Sequence, residues 1–211
     1  GQRPARLADT LTATSHEGRR WREFWQGRYD VAPDRFLYAA LDERCETPLL
    51  PEILSQQTIA ACLVSTVIDN MLHGATQGLA DVQASLRLWL ADGAHRLEAL
   101  IDRLLTEGLL VMLASDHGHV EAVGMGQPQE GVLVESRSQR ARLYNNADFA
   151  RSVQARYPET ILWSEDSLLP AGWQALMPSG RQAFALQGAR VVSHGGLTID
   201  EMVVPLVHIE R

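Results

Sequence analysis

The sequence predicts an α/β fold: a mostly parallel sheet flanked by helices, with a β-rich insertion toward the C-terminus. Three observations carry this expectation. Leu109–Leu113 is a run of large apolar residues with no polar alternation, the pattern of a strand covered on both faces. Thr58–Ile68 is a second such run, rich in β-branched residues and free of Gly and Pro, which suits a pleated, buried strand. Between them, Gly78–Gly108 repeats apolar residues such as Val82, Leu86, Trp89, Leu97, Leu100 and Leu104 at helical spacing. This predicts one long helix with Gly93 as its interior weak point. Strand, helix and strand in that order make a right-handed crossover, so the two strands are expected to run parallel, side by side or nearly so.

Composition bounds the rest. With 211 residues, 45% of them hydrophobic, the chain can bury a core large enough to stand without crosslinks. One domain is expected over residues 36–211, preceded by a polar and helical segment over residues 1–35. Cys45 and Cys62 form no Cys-x-x-Cys pair, which suits a reducing cytoplasm better than a disulfide framework. No secretory leader is read at the start, and no apolar run approaches the roughly 18 residues of a membrane span. A formal charge of −7 disfavours non-specific wrapping of nucleic acid, although a local basic surface stays open. The chain starts without a recognisable element, as expected of a piece of a longer protein.

Arg19, Arg20, Trp21, Arg22, Phe24, Trp25 and Arg28 form a basic and aromatic knot. Two readings of it stand: an amphipathic helix whose aromatics pack inward, or a surface that stacks on bases and holds phosphates. Phe36–Leu41 reads as a short strand and Cys45–Pro51 as a loop. The Thr58 strand ends on Asp69-Asn70-Met71-Leu72-His73-Gly74. Asp69 and His73, four apart, share a face if that stretch makes a helical turn, and so can meet at one ion. His95, inside the long helical stretch, reads as a surface or packing residue.

The Leu109 strand stops on Ser115-Asp116-His117-Gly118-His119. A carboxylate and an imidazole at the carboxyl end of a strand are metal-binding groups on a rigid support. Asp69, His73, Asp116 and His117 are therefore expected at one sheet edge. His119 either orients a ligand or caps the turn.

Beyond it, Gly124, Gly126 and Pro128 mark a loop, and Gly131–Val134 begins a strand. Arg137, Arg140 and Arg142 either bind phosphate or lie solvated on an edge strand. Asp148–Tyr157 reads as a helix, Thr160–Trp163 as extended, Pro170–Gly180 as a turn-rich insertion and Gln182–Leu186 as a strand. His194 stands on a Gly195-Gly196 turn, where polar work is the expected reason for an imidazole. Thr198 to Glu201 has the spacing of a capping box before a last strand at Val203–Ile209.

Asp-x-x-x-His-Gly at Asp69 and His73, Asp-His-Gly at Asp116 and His117, and the late His-Gly-Gly at His194 resemble the second half of the alkaline phosphatase superfamily. Ser-Asp-His-Gly-His-Val (Ser115 to Val120) and His-Gly-Gly-Leu-Thr-Ile-Asp-Glu-Met-Val-Val-Pro (His194 to Pro205) resemble more narrowly the PglZ family of BREX phage-defence systems. The resemblance covers roughly Val64 to the end.

It implies an alkaline-phosphatase-like sheet and a metal-dependent phosphatase or phosphodiesterase with two divalent ions, zinc or else manganese. It also implies roles: Asp69, His73 and His194 for one ion, Asp116 and His117 for the other. No residue of this chain is assigned as the Ser or Thr nucleophile, which is expected upstream of Gly1 together with a further metal-binding Asp. His119, Arg140 and Arg142 are candidates for orienting a ligand or binding substrate. The implied substrate is a phosphoester, a nucleotide or nucleic acid among the candidates. The implied partners are other BREX components, a methyltransferase-type protein among them, with no membrane. A second reading stays open, in which the fold serves assembly of the defence complex without catalysis.

Overall fold

A computed structural model describes residues 17–74, 78–128, 138–164, 169 and 171–210, with the backbone alone at residues 73 and 74. The chain is a mixed α/β protein, with seven helices and several sheets among the described residues. It comprises two compact units: Gly1–Asp69 with Arg87–Val111 and Ile209–Arg211, and Asn70–Leu86 with Met112–His208. No helix among the described residues is long and apolar enough to cross a membrane.

In the first unit, helix α1 (Glu17–Gln26) turns its aromatics onto strand β1 (Phe36–Ala40). The Trp25 ring stacks on fully buried Phe36, with centroids 5.8 Å apart and planes 6° from parallel. Trp21 meets Trp25 edge-on at 5.3 Å. The basic and aromatic knot is thus an amphipathic helix packed through its rings, and the Arg28 guanidinium lies 3.9 Å over the face of Phe24. After a short helix α2 (Leu50–Ile53), strand β2 (Ala60–Val64) pairs with β1 in parallel, from Phe36 opposite Ala60 to Ala40 opposite Val64.

The Thr58–Ile68 run is therefore only partly a strand. Ser65-Thr66, hydroxyl residues of the kind favoured ahead of a helix, end it, and Val67 and Ile68 already belong to helix α3 (Val67–Gly74). The long helical stretch is likewise two helices, α4 (Leu79–Asp92) and α5 (Ala94–Thr106), separated at Gly93. Gly costs a helix interior about 1 kcal/mol relative to Ala, enough to choose where it breaks. Leu100 and Leu104 of α5 bury against Leu41 and Ile53, with Ala61 and Leu63 of β2 packed beside them. His95 is exposed.

Strand β3 (Val111–Ala114) departs from expectation. Leu110, Met112 and Leu113 are 61%, 60% and 44% exposed, so the run is not buried on both faces. Its described neighbour is the last strand of the chain, whereas β2 pairs with β1, so the two apolar runs are not hydrogen-bonded to each other. Continuous apolarity records what a strand would gain from cover; it does not supply the cover.

In the second unit, β4 (Val120–Gly124) opens a sheet completed much later in the chain. Strand β5 (Arg142–Tyr144) leads into helix α6 (Ala147–Arg156), where the Asn146 side chain accepts a bond from the Phe149 amide at 2.9 Å and caps the first turn. Strands β6 (Thr160–Trp163) and β7 (Gln174–Pro178) follow. β7 runs antiparallel to both β5 and β6 and lies between them. The region expected to be a turn-rich insertion thus holds a central strand. Ala175-Leu176-Met177 fills the core there, with Leu176 fully buried beside Tyr144, Val153 and Phe184.

The expected strand at Gln182–Leu186 shortens to β8 (Gln182–Ala183), parallel to β4. On the other side of β4 lies β9 (Arg190–Ser193), antiparallel, with Val120 opposite Ser193 and Val123 opposite Arg190. A short helix α7 (Ile199–Met202), opened by the Thr198–Glu201 capping box, precedes β10 (Leu206–Ile209), the partner of β3. The expected strand at Gly131–Val134 and the side chain of Arg137 lie outside the described residues.

Candidate metal centre

The β4–β9 register sets the site. Because Val120 lies opposite Ser193, the residue before one and the residue after the other leave the ladder side by side, and these are His119 and His194. His117, two residues before His119 along an extended stretch, falls on the same side because side chains alternate with a period of two. The His117 and His194 rings stack with centroids 3.8 Å apart and planes 8° from parallel. His119 stands edge-on to both, at 4.8 Å from His117 and 5.1 Å from His194.

Asp69 stands in the first turn of α3, a residue of the first unit. One donor atom from each of His117, His119 and His194 lies within 4.8 Å of the other two, and all three side chains are half-buried. Three imidazole nitrogens suit a borderline divalent cation.

Neighbouring groups hold the two histidine segments. Ser115 Oγ donates to the His117 carbonyl at 2.6 Å, and the His117 amide donates to Asp116 Oδ1 at 3.1 Å. His117 Nδ1 lies 3.3 Å from the Gly118 carbonyl; a proton on that nitrogen leaves Nε2 as the ligand atom. The Gly118 amide donates to the Glu201 carbonyl at 2.9 Å. A Cβ at Gly118 would sit 1.9 Å from the Asp200 carbonyl oxygen, so only glycine admits α7 this close. Gly195 takes φ +95°, the left-handed backbone that glycine adopts without strain. The Ser138 hydroxyl donates to the His194 carbonyl.

Of the residues singled out in the sequence, His117 and His194 come together, and His119 joins them as a third donor. The grouping cuts across the two ion sets that the motifs implied, taking His194 from one and His117 from the other. Asp116 stands outside: its side chain is 88% exposed, 3.6 Å from His117 Nε2. His73 lies on the same helix as Asp69, and its side chain is outside the described residues.

Arg140 is fully buried and forks onto Glu201, with Nε to Oε1 at 2.9 Å and Nη2 to Oε2 at 2.7 Å. Arg142 donates to the carbonyls of Ser138 at 3.0 Å and Phe184 at 3.3 Å. Sequence reasoning missed Glu201 as anything more than a cap. Burial pushes its carboxyl up, but bonds from Arg140, Thr198 and Gly196 outweigh burial and bring it down to about 2. The signal available was a capping-box Glu close behind a His-Gly-Gly turn.

A family model described as the BREX system PglZ alkaline phosphatase-like domain matches residues 3–209. No curated protein matches the chain.

Proposed function

Because the chain belongs to the BREX system PglZ alkaline phosphatase-like domain family, we propose that it forms the metal-binding part of a phosphoric-ester hydrolase acting in phage defence. The observation that carries this reading is the convergence of His117, His119 and His194 on one point from two segments far apart in the chain. Three imidazoles with their ring nitrogens drawn together make a donor set for a divalent cation. They would hold one ion, zinc or else manganese, with Asp69 as its proposed carboxylate ligand. His73 and exposed Asp116 are the donors proposed for a second.

A divalent ion bound here supplies Lewis acidity, which stabilises negative charge on a phosphoryl group. The chain's own residues do the rest. Nδ1 of His117 stays directed at the Gly118 carbonyl and so fixes the ring, and the stacked His194 leaves little room for side-chain rotation. The proposed substrates are phosphomonoesters or phosphodiesters, including nucleotides and nucleic acid. The proposed partners are other BREX components, such as a methyltransferase-type protein.

A second reading follows if Asp69 is the fourth ligand: four protein donors would then close the shell, and closed shells mark structural sites, whereas catalytic sites keep a position open. In that reading the ion ties the domain together for assembly of the defence complex. Metal analysis of the purified full-length protein beside His117→Ala and His194→Ala, with hydrolysis of a generic phosphodiester followed in parallel, separates the two. Metal and turnover both lost in the variants support the enzyme; metal bound by the wild type without turnover supports assembly. Metal content and turnover that survive both substitutions would sink the proposed site.

A further inference from the structure

Glu201 touches both histidine segments at once. Its main-chain carbonyl accepts the Gly118 amide at 2.9 Å, between His117 and His119. Its carboxylate accepts the Gly196 amide at 2.8 Å, two residues beyond His194, and the Thr198 amide and hydroxyl at 3.1 and 2.7 Å. Arg140 holds that carboxylate by both oxygens and is itself held by the carbonyls of Gly180, at 2.7 Å, and Gln182. The Arg140 amide adds a third tether, donating at 2.9 Å to the Ser138 hydroxyl, which donates in turn to the His194 carbonyl.

Arg140 and Glu201 are 0% and 3% exposed. A buried ion pair is a poor device for stability alone, because desolvating two charges cancels most of their attraction and apolar residues of the same volume serve as well. What a planar guanidinium gripping a carboxylate supplies is direction: two parallel bonds fix both groups in one plane. Here that direction is passed to Gly118 and Gly196.

We propose that Arg140 and Glu201 form a positioning pair that sets the spacing between the His117–His119 segment and the His194 turn, and thereby the cation affinity and coordination geometry of the site. The affinity clause rests on the metal reading above; the spacing clause does not. Outer groups that orient metal-binding side chains typically contribute about tenfold to a hundredfold in affinity.

The test uses the whole chain and Co²⁺ alone as probe, with Glu201→Gln, Thr198→Val and His194→Ala beside the wild type. Two quantities are read: visible absorption during Co²⁺ titration, and the imidazole ring resonances of the metal-free proteins. Glu201→Gln and Thr198→Val are expected to weaken Co²⁺ binding at least about tenfold. They should also weaken the visible bands at saturation and shift the His117 and His194 ring resonances together, with exposed His95 unmoved. A pair that merely supported the core would lower the melting temperature without changing the bands or the rings. Thr198→Val keeps both charges and removes one hydroxyl donor, so it decides the matter if Glu201→Gln does not fold. Folded variants with unchanged ring resonances would overturn the spacing clause. A wild type that takes up no Co²⁺, or a His194→Ala that binds it equally well, would overturn the metal reading and the affinity clause with it, and the ring resonances would still decide the spacing.

Discussion

The imidazoles of His117 and His194 lie face to face at 3.8 Å because their strands pair antiparallel with Val120 opposite Ser193. Either ring alone is a modest ligand; held in this register beside His119, they make the donor set proposed for the ion, and its loss is expected to be steep. His117→Ala or His194→Ala should reduce cation affinity by at least about a hundredfold, beyond what outer groups contribute. Asp116→Asn, at an exposed position outside the three histidines, should leave binding of this ion within a few-fold of wild type. Competition titration with a chelator of known affinity measures both. A strong effect of Asp116→Asn with little effect of His194→Ala would reverse the assignment.

Gly118→Ala forces a Cβ against the Asp200 carbonyl, which stands 1.9 Å from where that carbon must go. Backbone cannot give way as a flexible side chain can, so the loop and α7 must part. The expected cost is about 3 kcal/mol, at the upper end for overpacking, read from urea unfolding. Unchanged stability would mean that α7 does not approach the loop as described.

Acid should unfold the protein partly through Glu201. Its carboxyl is held at about 2 in the folded chain against an ordinary value of 4.5, so between these pH values the unfolded chain binds the extra proton and stability rises with pH. The contribution is complete above about pH 4.5 and falls away as pH drops toward 2, on the order of 3 kcal/mol in all. In Glu201→Gln that part of the acid slope should vanish. Unfolding free energies of metal-free wild type and variant from pH 3 to 6 test this, and parallel slopes would refute it.

Arg140→Met strands a buried carboxylate and should cost about 4 kcal/mol. The double variant Arg140→Met with Glu201→Met removes both charges and should regain most of that stability, yet not the cation affinity. Measured together, the two melting curves and a metal titration separate the stability of the fold from the aim of its histidines. Recovery of both in the double variant would count against positioning.

Much of the candidate site was legible because the residues that come together sit where strands end or tight turns begin. Asp-His-Gly after an apolar run and His-Gly-Gly before a capping box mark places where a polar ring has a reason to be. Pairing was less legible. The preference for Asp116 over His119 followed the motif, whereas the alternation of an extended chain puts His117 and His119 on one side and leaves Asp116 on the other. The strand at Gln174–Pro178 was hidden by the Pro and Gly around it, since local turn signals outweigh a three-residue apolar stretch until the sheet that receives it is known. The exposed face of Leu110, Met112 and Leu113 was misread because a sequence records hydrophobicity and leaves the neighbour unnamed.

The ladder between Val120–Val123 and Arg190–Ser193 joins segments distant along the chain, and such contacts form late, since a long loop must close before they give any return. During synthesis the ribosome releases His117 and His119 well before His194. A nascent or prematurely ended chain therefore presents two imidazoles without the ring that completes the set. On the proposed metal reading, tight cation uptake would belong to finished molecules alone.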